Sequence, residues 1–437
     1  MNSGSELTRR DRKHLWHPYT QMKVAPDPIP VVRGEGVWLF TEDGRRILDG
    51  TSSWWVNIHG HSHPKLNDAL AAQARQLEHV MFAGVTHEPA VLLAERLTAI
   101  LPSGLTRIFY SDNGSTAVEA ALKMAFQYWQ NRGKRNRREF VALNHAYHGD
   151  TIGAMSASED TIFTKVFGPL IFDVHRVYSP YCFQCPLGLH RSSCQIECLQ
   201  GLRRLLETQH DSIAAVIVEP MLQGAGGMIV WPKEFLSGVR ELCDRYDVLM
   251  IADEVLTGFG RTGKMFACEH AGISPDILCL SKALTAGYLP MAVTAATEMV
   301  FEAFFSDDRS KAFYHGHSYT ANPLGCAVAL ASLDLFQEEG TLKRVQELEI
   351  QMKARLELFR GHPRVADVRG IGGVAVLELA TSTGGYLDDI GPRLASEFVN
   401  RNLLLRPMGN ILYFMPPYVI TESEVDWAFD QIHDVLR

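Results

Sequence analysis

Several short apolar segments in the middle of the chain are each followed directly by a side chain that could take part in catalysis. Lys282 follows ILCL, and an amine in an apolar setting has a lowered pKa, which makes it a candidate nucleophile for a Schiff base. Asp253 ends VLMIAD, and a carboxylate at the end of a buried strand needs a cationic partner. Taken singly, Lys282 could extend its ammonium to water, and Asp253 could pair with an arginine or lysine.

Three further strand ends carry residues that suit a bound cofactor. After RIFY, Gly114 and Ser115 lie in a Gly/Ser/Thr loop that leads into a predicted helix, where free N–H groups could bind phosphate. After FVAL, Tyr147 stands near a turn glycine and could stack on a flat ring, and Glu219 ends AAVIVE. Alone, the first loop could be an ordinary N-cap and the tyrosine could pack on the surface. Together they offer a phosphate site, a ring stacker, a carboxylate and an amine, which are the groups that pyridoxal phosphate requires.

The elements that must position these residues form an α/β pattern between about residues 65 and 330. Its apolar runs are continuous rather than alternating, as expected for strands whose two faces are covered by helices. Helical stretches such as 117–129 and 233–246 separate the runs, so a mostly parallel sheet is predicted. The predicted strands are 107–110, 140–143, 214–219, 248–253 and 277–280.

The sequence predicts three parts. Residues 1–64 alternate strand-like runs with turns and are expected to contribute to a small domain and to the active site. Residues 65–330 are expected to form the large, cofactor-binding domain, because they contain every strand end considered above. Residues 331–437 contain an amphipathic helical segment, a mixed region and a final helix, which predicts a smaller α+β domain at the C-terminus.

Composition narrows the possible classes of function. A net charge of −8 and a pI near 6.1 argue against a general nucleic-acid binder, which needs an excess of lysine and arginine. No run of eighteen apolar residues occurs, and the N-terminus has no apolar signal-peptide core, so no membrane association and a cytoplasmic location are expected.

Read in order, these residues resemble the class III aminotransferases of pyridoxal-phosphate fold type I, over nearly the whole chain. The most specific stretch is IADEVLTGFGRTGKMFACEHAGISPDILCLSKALTAGYLP at 251–290. Within the family, the chain is most similar to the branch that converts 8-amino-7-oxononanoate to 7,8-diaminononanoate in biotin biosynthesis. The motifs of that resemblance are HLWHPYT (14–20), TSSWWVNIHGH (51–61), HAYHGDTIGAMS (145–156), HGHSYTANPLGCA (315–327) and LLRPMGNILYFMPPY (404–418).

The resemblance implies a role for each candidate residue. Lys282 would bind the cofactor covalently and move a proton, Asp253 would pair with the ring nitrogen, and Tyr19 would complete the catalytic set. Cofactor-binding positions would be Gly114, Ser115, Tyr147, Glu219, Asp253 and Lys282, with His317 and Ser318 supplied by the partner subunit of a homodimer. Substrate-contacting positions would be Trp54, Trp55, Tyr147, Arg261, Gly316, Arg406 and Tyr413, where Arg406 would bind a carboxylate bidentately.

The amino donor remains open between S-adenosylmethionine and lysine. The sequence HGHSY, which stands where the family often has HGPT, resembles the lysine-using branch. The paired tryptophans and Tyr413 resemble the S-adenosylmethionine branch. A different ω-aminotransferase, with a diamine, ornithine or lysine as donor, is the main alternative. A non-catalytic metal- or partner-binding protein on the same fold is a more distant one.

Four of the eight cysteines are clustered in a short segment: Cys182, Cys185, Cys194 and Cys198. A C-x2-C pair followed by a C-x3-C pair is compatible with a tetrahedral zinc site. The distance between the pairs is short for a zinc ribbon, and the chemistry of the family needs no metal. We therefore expect no catalytic metal, and reduced thiols in a surface loop are the alternative to an incidental structural zinc.

Overall fold

The computed structural model describes residues 5–382 and 384–437. Its strands are β1 Val31–Glu35, β2 Trp38–Thr41, β3 Arg46–Asp49, β4 Leu105–Ser111, β5 Glu139–Leu143, β6 His175–Val177, β7 Ile213–Val218, β8 Leu222–Gln223, β9 Ile229–Val230, β10 Leu249–Asp253, β11 Ile277–Leu280, β12 Ala292–Thr297, β13 Val365–Ile371, β14 Val374–Leu379, β15 Leu403–Leu404 and β16 Ile411–Phe414.

The α-helices are α1 Glu6–His14, α2 Ser52–Trp55, α3 Pro64–Gln76, α4 Glu88–Ile100, α5 Gly114–Asn131, α6 Ile152–Ala157, α7 Gln200–Gln209, α8 Lys233–Arg245, α9 Glu298–Glu302, α10 Pro323–Glu338, α11 Thr341–Glu357, α12 Ile390–Asn400 and α13 Glu422–Leu436. Across the described part of the chain, no helix combines the length and the apolar character needed to cross a lipid bilayer.

A seven-stranded sheet lies at the centre of the fold, in the order β4-β12-β11-β10-β7-β5-β6. The five strands from β11 to β6 run parallel, and β12 runs antiparallel to both of its neighbours. Every residue of β7, β10 and β11 is buried, because helices cover both faces of the sheet. The prediction of a mostly parallel α/β sheet is confirmed, and each of the five predicted apolar runs is a strand.

Two strands of this sheet were not predicted from the sequence. β12 consists mainly of alanine and threonine, so it lacks the bulky apolar residues that mark its neighbours. β6 has only three residues, too few for a periodic pattern.

The first fifty residues and the C-terminal residues share one small sheet. Its order is β1-β2-β3-β15, and Leu403 in β15 pairs with Leu48 in β3. A second small sheet, β13-β14-β16, packs against it through a shared hydrophobic cluster. This arrangement brings the chain that follows β3 beside the chain that follows β15.

The chain that follows β3 forms a left-handed turn in α2. Four consecutive residues have positive φ: Ser52 (49°), Ser53 (45°), Trp54 (70°) and Trp55 (73°). Left-handed backbone costs about 1–2 kcal/mol per non-glycine residue, so the turn must be stabilised by its surroundings. Ser53 Oγ donates to Asp49 Oδ2 at 2.7 Å, and Ser52 Oγ donates to the Met415 carbonyl at 2.7 Å. These bonds fix the two tryptophans at the edge of the central sheet.

Candidate active site

Three strand-end loops pack closely around the N-terminus of α5. Gly149 has a φ of +130°, and a Cβ built there would lie 2.1 Å from Ser115 Oγ. The backbone N–H of Asp150 donates to the same Ser115 oxygen at 3.2 Å. A Cβ at Gly114 would lie 2.6 Å from Val255 Cγ1. Only glycines allow this approach, which leaves the first-turn amides of α5 facing a cavity, as an anion site requires.

The buried carboxylate of Asp253 is paired with a histidine. His148 Nδ1 lies 2.7 Å from Asp253 Oδ2, and the Val255 N–H donates to Asp253 Oδ1 at 3.1 Å. Among residues 5–382 and 384–437, no lysine or arginine forms an ion pair with Asp253. The alternative that Asp253 forms a structural salt bridge with one of those residues is therefore excluded for the described residues. Asp253 lines the cavity and can pair there with a cationic ring nitrogen.

His148 was not among the residues predicted from the sequence. Its side chain is fully buried, and its Nε2 has no hydrogen-bond partner in the described part of the chain. The available signal was its position one residue after Tyr147 in the loop that follows β5. That signal could not show that the ring turns back toward Asp253.

Lys282 begins the turn after β11 and has a φ of +46°. Its Nζ lies 4.6 Å from the centre of the Trp55 ring. Burial lowers the pKa of the Lys282 amine to about 8, although the nearby carboxylates of Asp253 and Glu219 oppose that shift. About a tenth of this amine is therefore neutral and nucleophilic at pH 7, and about half at pH 8, far more than for an ordinary lysine.

Glu219 links two of the strand-end loops. Its carboxylate accepts the Tyr147 N–H at 3.0 Å and the Gly224 N–H at 2.9 Å. Burial is the main reason that the pKa of Glu219 is raised to about 7. The two backbone bonds position the Tyr147 ring over the cavity.

These groups surround one cavity of about 340 Å³. The predicted residues that line it are Trp55, Gly114, Ser115, Tyr147, Glu219, Asp253 and Lys282, and His148 and Gly149 join them. The donor set fits pyridoxal phosphate, because helix amides, an aromatic ring, a carboxylate and an amine face one space. Gly114, Ser115, Tyr147, Asp253 and Lys282 are the residues that would hold it.

A second cavity, of about 370 Å³, adjoins the first through a shared wall. Trp55, Tyr147 and Lys282 line both cavities. The residues found in the second cavity alone are Tyr19, Trp54, Asp150, Phe163, Tyr386, Arg406, Met408 and Tyr413. Asp150, Phe163, Tyr386 and Met408 were not predicted: Asp150 and Met408 lie within recognised motifs but were not singled out there, and Phe163 and Tyr386 lie in irregular segments without a motif.

The second cavity has a polar end and an aromatic wall. The Arg406 guanidinium stacks on Trp54 at 4.3 Å, and Trp55 Nε1 donates to the Tyr413 hydroxyl at 3.1 Å. The Tyr19 hydroxyl donates to Asp150 and lies 3.0 Å from the Tyr147 hydroxyl. The cavity can therefore take an extended apolar chain that ends in an anionic group.

Four predicted site residues do not line either cavity of this chain. Gly316, His317 and Ser318 lie in the segment before α10. Arg261 is 1% exposed and lies behind the left-handed turn, 4.8 Å from the Tyr418 ring centre and 3.5 Å from Ser52 Oγ. The predicted roles of His317 and Ser318 in the cofactor site of a partner subunit, and of Gly316 and Arg261 in substrate binding, stay predictions.

The family of the chain follows from its comparison with known proteins. Residues 19–436 match the model of the family described as aminotransferase class-III. The chain belongs to the class III aminotransferases, a family of pyridoxal-phosphate enzymes.

Particular members of the family are similar along their full length. The adenosylmethionine-8-amino-7-oxononanoate aminotransferase of Geobacter sulfurreducens is 47% identical over 98% of this chain and 96% of its own. The crystal structure of the enzyme of that name from Methanocaldococcus jannaschii has a TM-score of 0.93, with 37% identity and 98% of each chain covered. An omega transaminase from Pseudomonas jessenii in complex with PMP has a TM-score of 0.93 at 29% identity, covering 99% of this chain and 98% of that one.

Gly149→Ala is expected to weaken the binding of pyridoxal phosphate by about tenfold or more, equivalent to about 1.4 kcal/mol. The added methyl group would collide with Ser115 and push the first turn of α5 away from the loop that carries Gly149. The measurement is a titration of cofactor-free protein followed by absorbance. Gly133→Ala is the control, because Gly133 also has positive φ but has open space around it. Equal affinity in the two variants would contradict the proposed phosphate site.

The rate at which cofactor-free protein captures pyridoxal phosphate is expected to rise with pH and to level off above about 8. Only the neutral amine of Lys282 attacks an aldehyde, and a lowered pKa makes that form predominant from about pH 8 upward. Stopped-flow absorbance in a series of buffers measures the rate. A rate that keeps rising toward the ordinary lysine pKa would show that Lys282 is not desolvated as described.

Proposed function

We propose that this chain is an adenosylmethionine-8-amino-7-oxononanoate aminotransferase, which converts 8-amino-7-oxononanoate to 7,8-diaminononanoate in biotin biosynthesis. The observation that carries the proposal is the pair of joined cavities, with Lys282 on their shared wall and Arg406 in the outer one. The names of the similar proteins from Geobacter sulfurreducens and Methanocaldococcus jannaschii support the same substrate.

When bound, pyridoxal phosphate supplies an aldehyde that carries the amino group and a ring that accepts electrons. Asp253 would balance the positive charge on the ring nitrogen, and His148 holds that carboxylate in place through the 2.7 Å bond. The Lys282 amine would hold the cofactor and would be the base that accepts a proton at the reacting group and gives it back. Its lowered pKa suits both directions of this transfer near neutral pH.

The outer cavity suits an oxo-acid with an alkyl chain. Trp54 and Trp55 provide flat apolar surface, and Arg406 provides a guanidinium for the carboxylate. Among residues 5–382 and 384–437, no carboxylate forms an ion pair with Arg406, whose guanidinium rests on the Trp54 ring. An incoming carboxylate would therefore not have to displace an existing partner.

For the amino donor we propose S-adenosylmethionine, with lysine as the alternative. The support is Tyr413, a buried phenol bonded to Trp55 on the wall of the outer cavity. The 29% identity with a Pseudomonas jessenii omega transaminase keeps a general ω-aminotransferase as the second candidate function. Activity with pyruvate or 2-oxoglutarate, and none with the oxononanoate, would favour that second candidate.

We further propose a cytoplasmic homodimer, in which residues 65–330 form the large domain and the flanking residues form the small one. His317 and Ser318 lie outside the cavities of their own chain, which supports a role in a partner's phosphate site. Tyr314 and Tyr319 beside them are 73% and 66% exposed, as expected for a segment that packs on a partner subunit.

Arg406→Ala is expected to raise the KM for 8-amino-7-oxononanoate by about tenfold to a hundredfold, because a charge-assisted hydrogen bond contributes about 1.5–3 kcal/mol. The KM for the donor should change by less than about threefold on the same reasoning. Steady-state kinetics with each substrate varied in turn measures both values. Arg401→Ala is the control, since Arg401 bonds Gln431 away from the cavities. An equal rise in KM for both substrates would show that Arg406 supports the structure of the site and does not bind the oxononanoate carboxylate specifically.

The loaded enzyme is expected to lose its long-wavelength cofactor absorption when S-adenosylmethionine is added alone, because the first half-reaction needs no acceptor. The measurement is an absorption spectrum before and after the addition of each donor separately. Lys282→Ala should show neither the lysine-bound band nor multiple turnovers, whereas Lys264→Ala, a substitution of a half-buried lysine that bonds the Glu269 carbonyl outside both cavities, should behave as wild type. A band lost with lysine but not with S-adenosylmethionine would overturn the proposed donor, and turnover by Lys282→Ala would overturn the lysine's role.

A further inference from the structure

The four clustered cysteines lie in an irregular segment, 180–198, which we call the cysteine loop. It contains turns and a short 3-10 helix but no strand or α-helix of its own. Phe183, Leu187 and Leu189 are about 40% exposed, so the loop buries little apolar surface. Irregular segments longer than about 12–15 residues are uncommon in compact domains and are usually either functional or disordered.

The fold places all four cysteines around one small space. Cys182, Cys185, Cys194 and Cys198 line a cavity of about 20 Å³. Turns at Gly188 and His190 bring residues that are sixteen positions apart in sequence to this cavity.

Hydrogen bonds attach the loop to the rest of the fold. The Tyr181 hydroxyl and Gln184 Nε2 both donate to Glu378 in β14. At the base of the loop, Ser179 Oγ donates to Gln223, whose amide donates to the Asn144 carbonyl at 2.9 Å. None of these residues lines the two cavities of the active site, so the loop can change without loss of the cofactor site.

We propose that the cysteine loop binds one zinc ion through the thiolates of Cys182, Cys185, Cys194 and Cys198. The ion has a structural role, because four thiolates close its coordination shell and leave no position for substrate. Binding releases the thiol protons to solvent and involves no oxidant or reductant.

The thiols must turn toward each other to bind the ion. Within the described residues, no group of three or more His, Cys, Asp or Glu side chains is already gathered for metal coordination. Cys182 Sγ and Cys194 Sγ are instead directed to the carbonyls of Pro180 and Arg191. Rotation about their χ1 angles would bring them toward the cavity, since side chains in half-exposed turns are free to change rotamer.

The test is the metal content of the full chain, purified under reducing conditions without a chelator and without a metal-affinity column. Elemental analysis is expected to find about one zinc per chain, and cobalt substitution is expected to give the d–d bands of a tetrahedral thiolate site. The double variant Cys182→Ser/Cys185→Ser should lose the metal. The control Ser192→Ala/Ser193→Ala, in the same loop, should retain it.

Removal of the zinc is expected to increase proteolytic cleavage between residues 180 and 198, while pyridoxal phosphate remains bound. This readout does not depend on aminotransferase activity, so it stands apart from the proposed function. Protein that takes up no stoichiometric zinc, even after incubation of the reduced chain with zinc chloride, would overturn the proposal. Titration of fewer than eight free thiols in the freshly denatured protein would also overturn it, in favour of disulfides.

Discussion

The structure depends on keeping a few charged groups out of water at the carboxyl edge of one sheet. Burial alone would neutralise Lys282 and protonate Glu219, and the shifts of both pKa values follow that direction. The fold offsets the cost of desolvation with specific bonds, such as the two N–H groups that Glu219 accepts and the imidazole beside Asp253. Because parallel strands end at the same edge, these bonds can be made between loops that are far apart in sequence.

The same constraint explains why the small sheets are attached where they are. A cavity lined only by strand-end loops would be open to water on one side. The left-handed turn in α2 places Trp55 against the Lys282 amine and Trp54 against Arg406. Its positive φ values are unfavourable in isolation, and the bonds to Asp49 and Met415 tie the turn to the end of β3 and to the residue that follows β16. The packing of the N-terminal and C-terminal segments against each other thus holds the Trp54 and Trp55 rings in place.

The sequence predicted the parts of the fold that have a strong local signal. Continuous apolar runs identified β4, β5, β7, β10 and β11, and their ends identified Asp253 and Lys282, which the structure places at one cavity. β12 was missed because its small residues carry no pattern, although it joins β4 to the parallel strands.

Residues that act through long-range contacts could not be found in the same way. His148 acts on a carboxylate more than one hundred positions away, and Phe163 reaches the cavity edge by contacts with Tyr19 and Tyr386. In a single sequence, such a residue cannot be distinguished from an ordinary side chain in a loop. Arg261 shows a different limit, since a motif predicted the residue and only the fold shows that it is buried against Ser52, outside the lining of the two cavities.

An enzyme that binds two substrates in turn in one cavity needs a cation that binds a carboxylate reversibly. A guanidinium already paired with a buried carboxylate could not bind a second one, and burying a guanidinium without any partner would cost free energy. Arg406 avoids both cases, because the Trp54 ring covers one face of the guanidinium and leaves its N–H edge available. The Tyr19 and Tyr147 hydroxyls beside Asp150 provide neutral polar contacts in the same cavity. The arrangement therefore allows the acceptor, with its carboxylate on Arg406, and the donor to occupy the same space in turn.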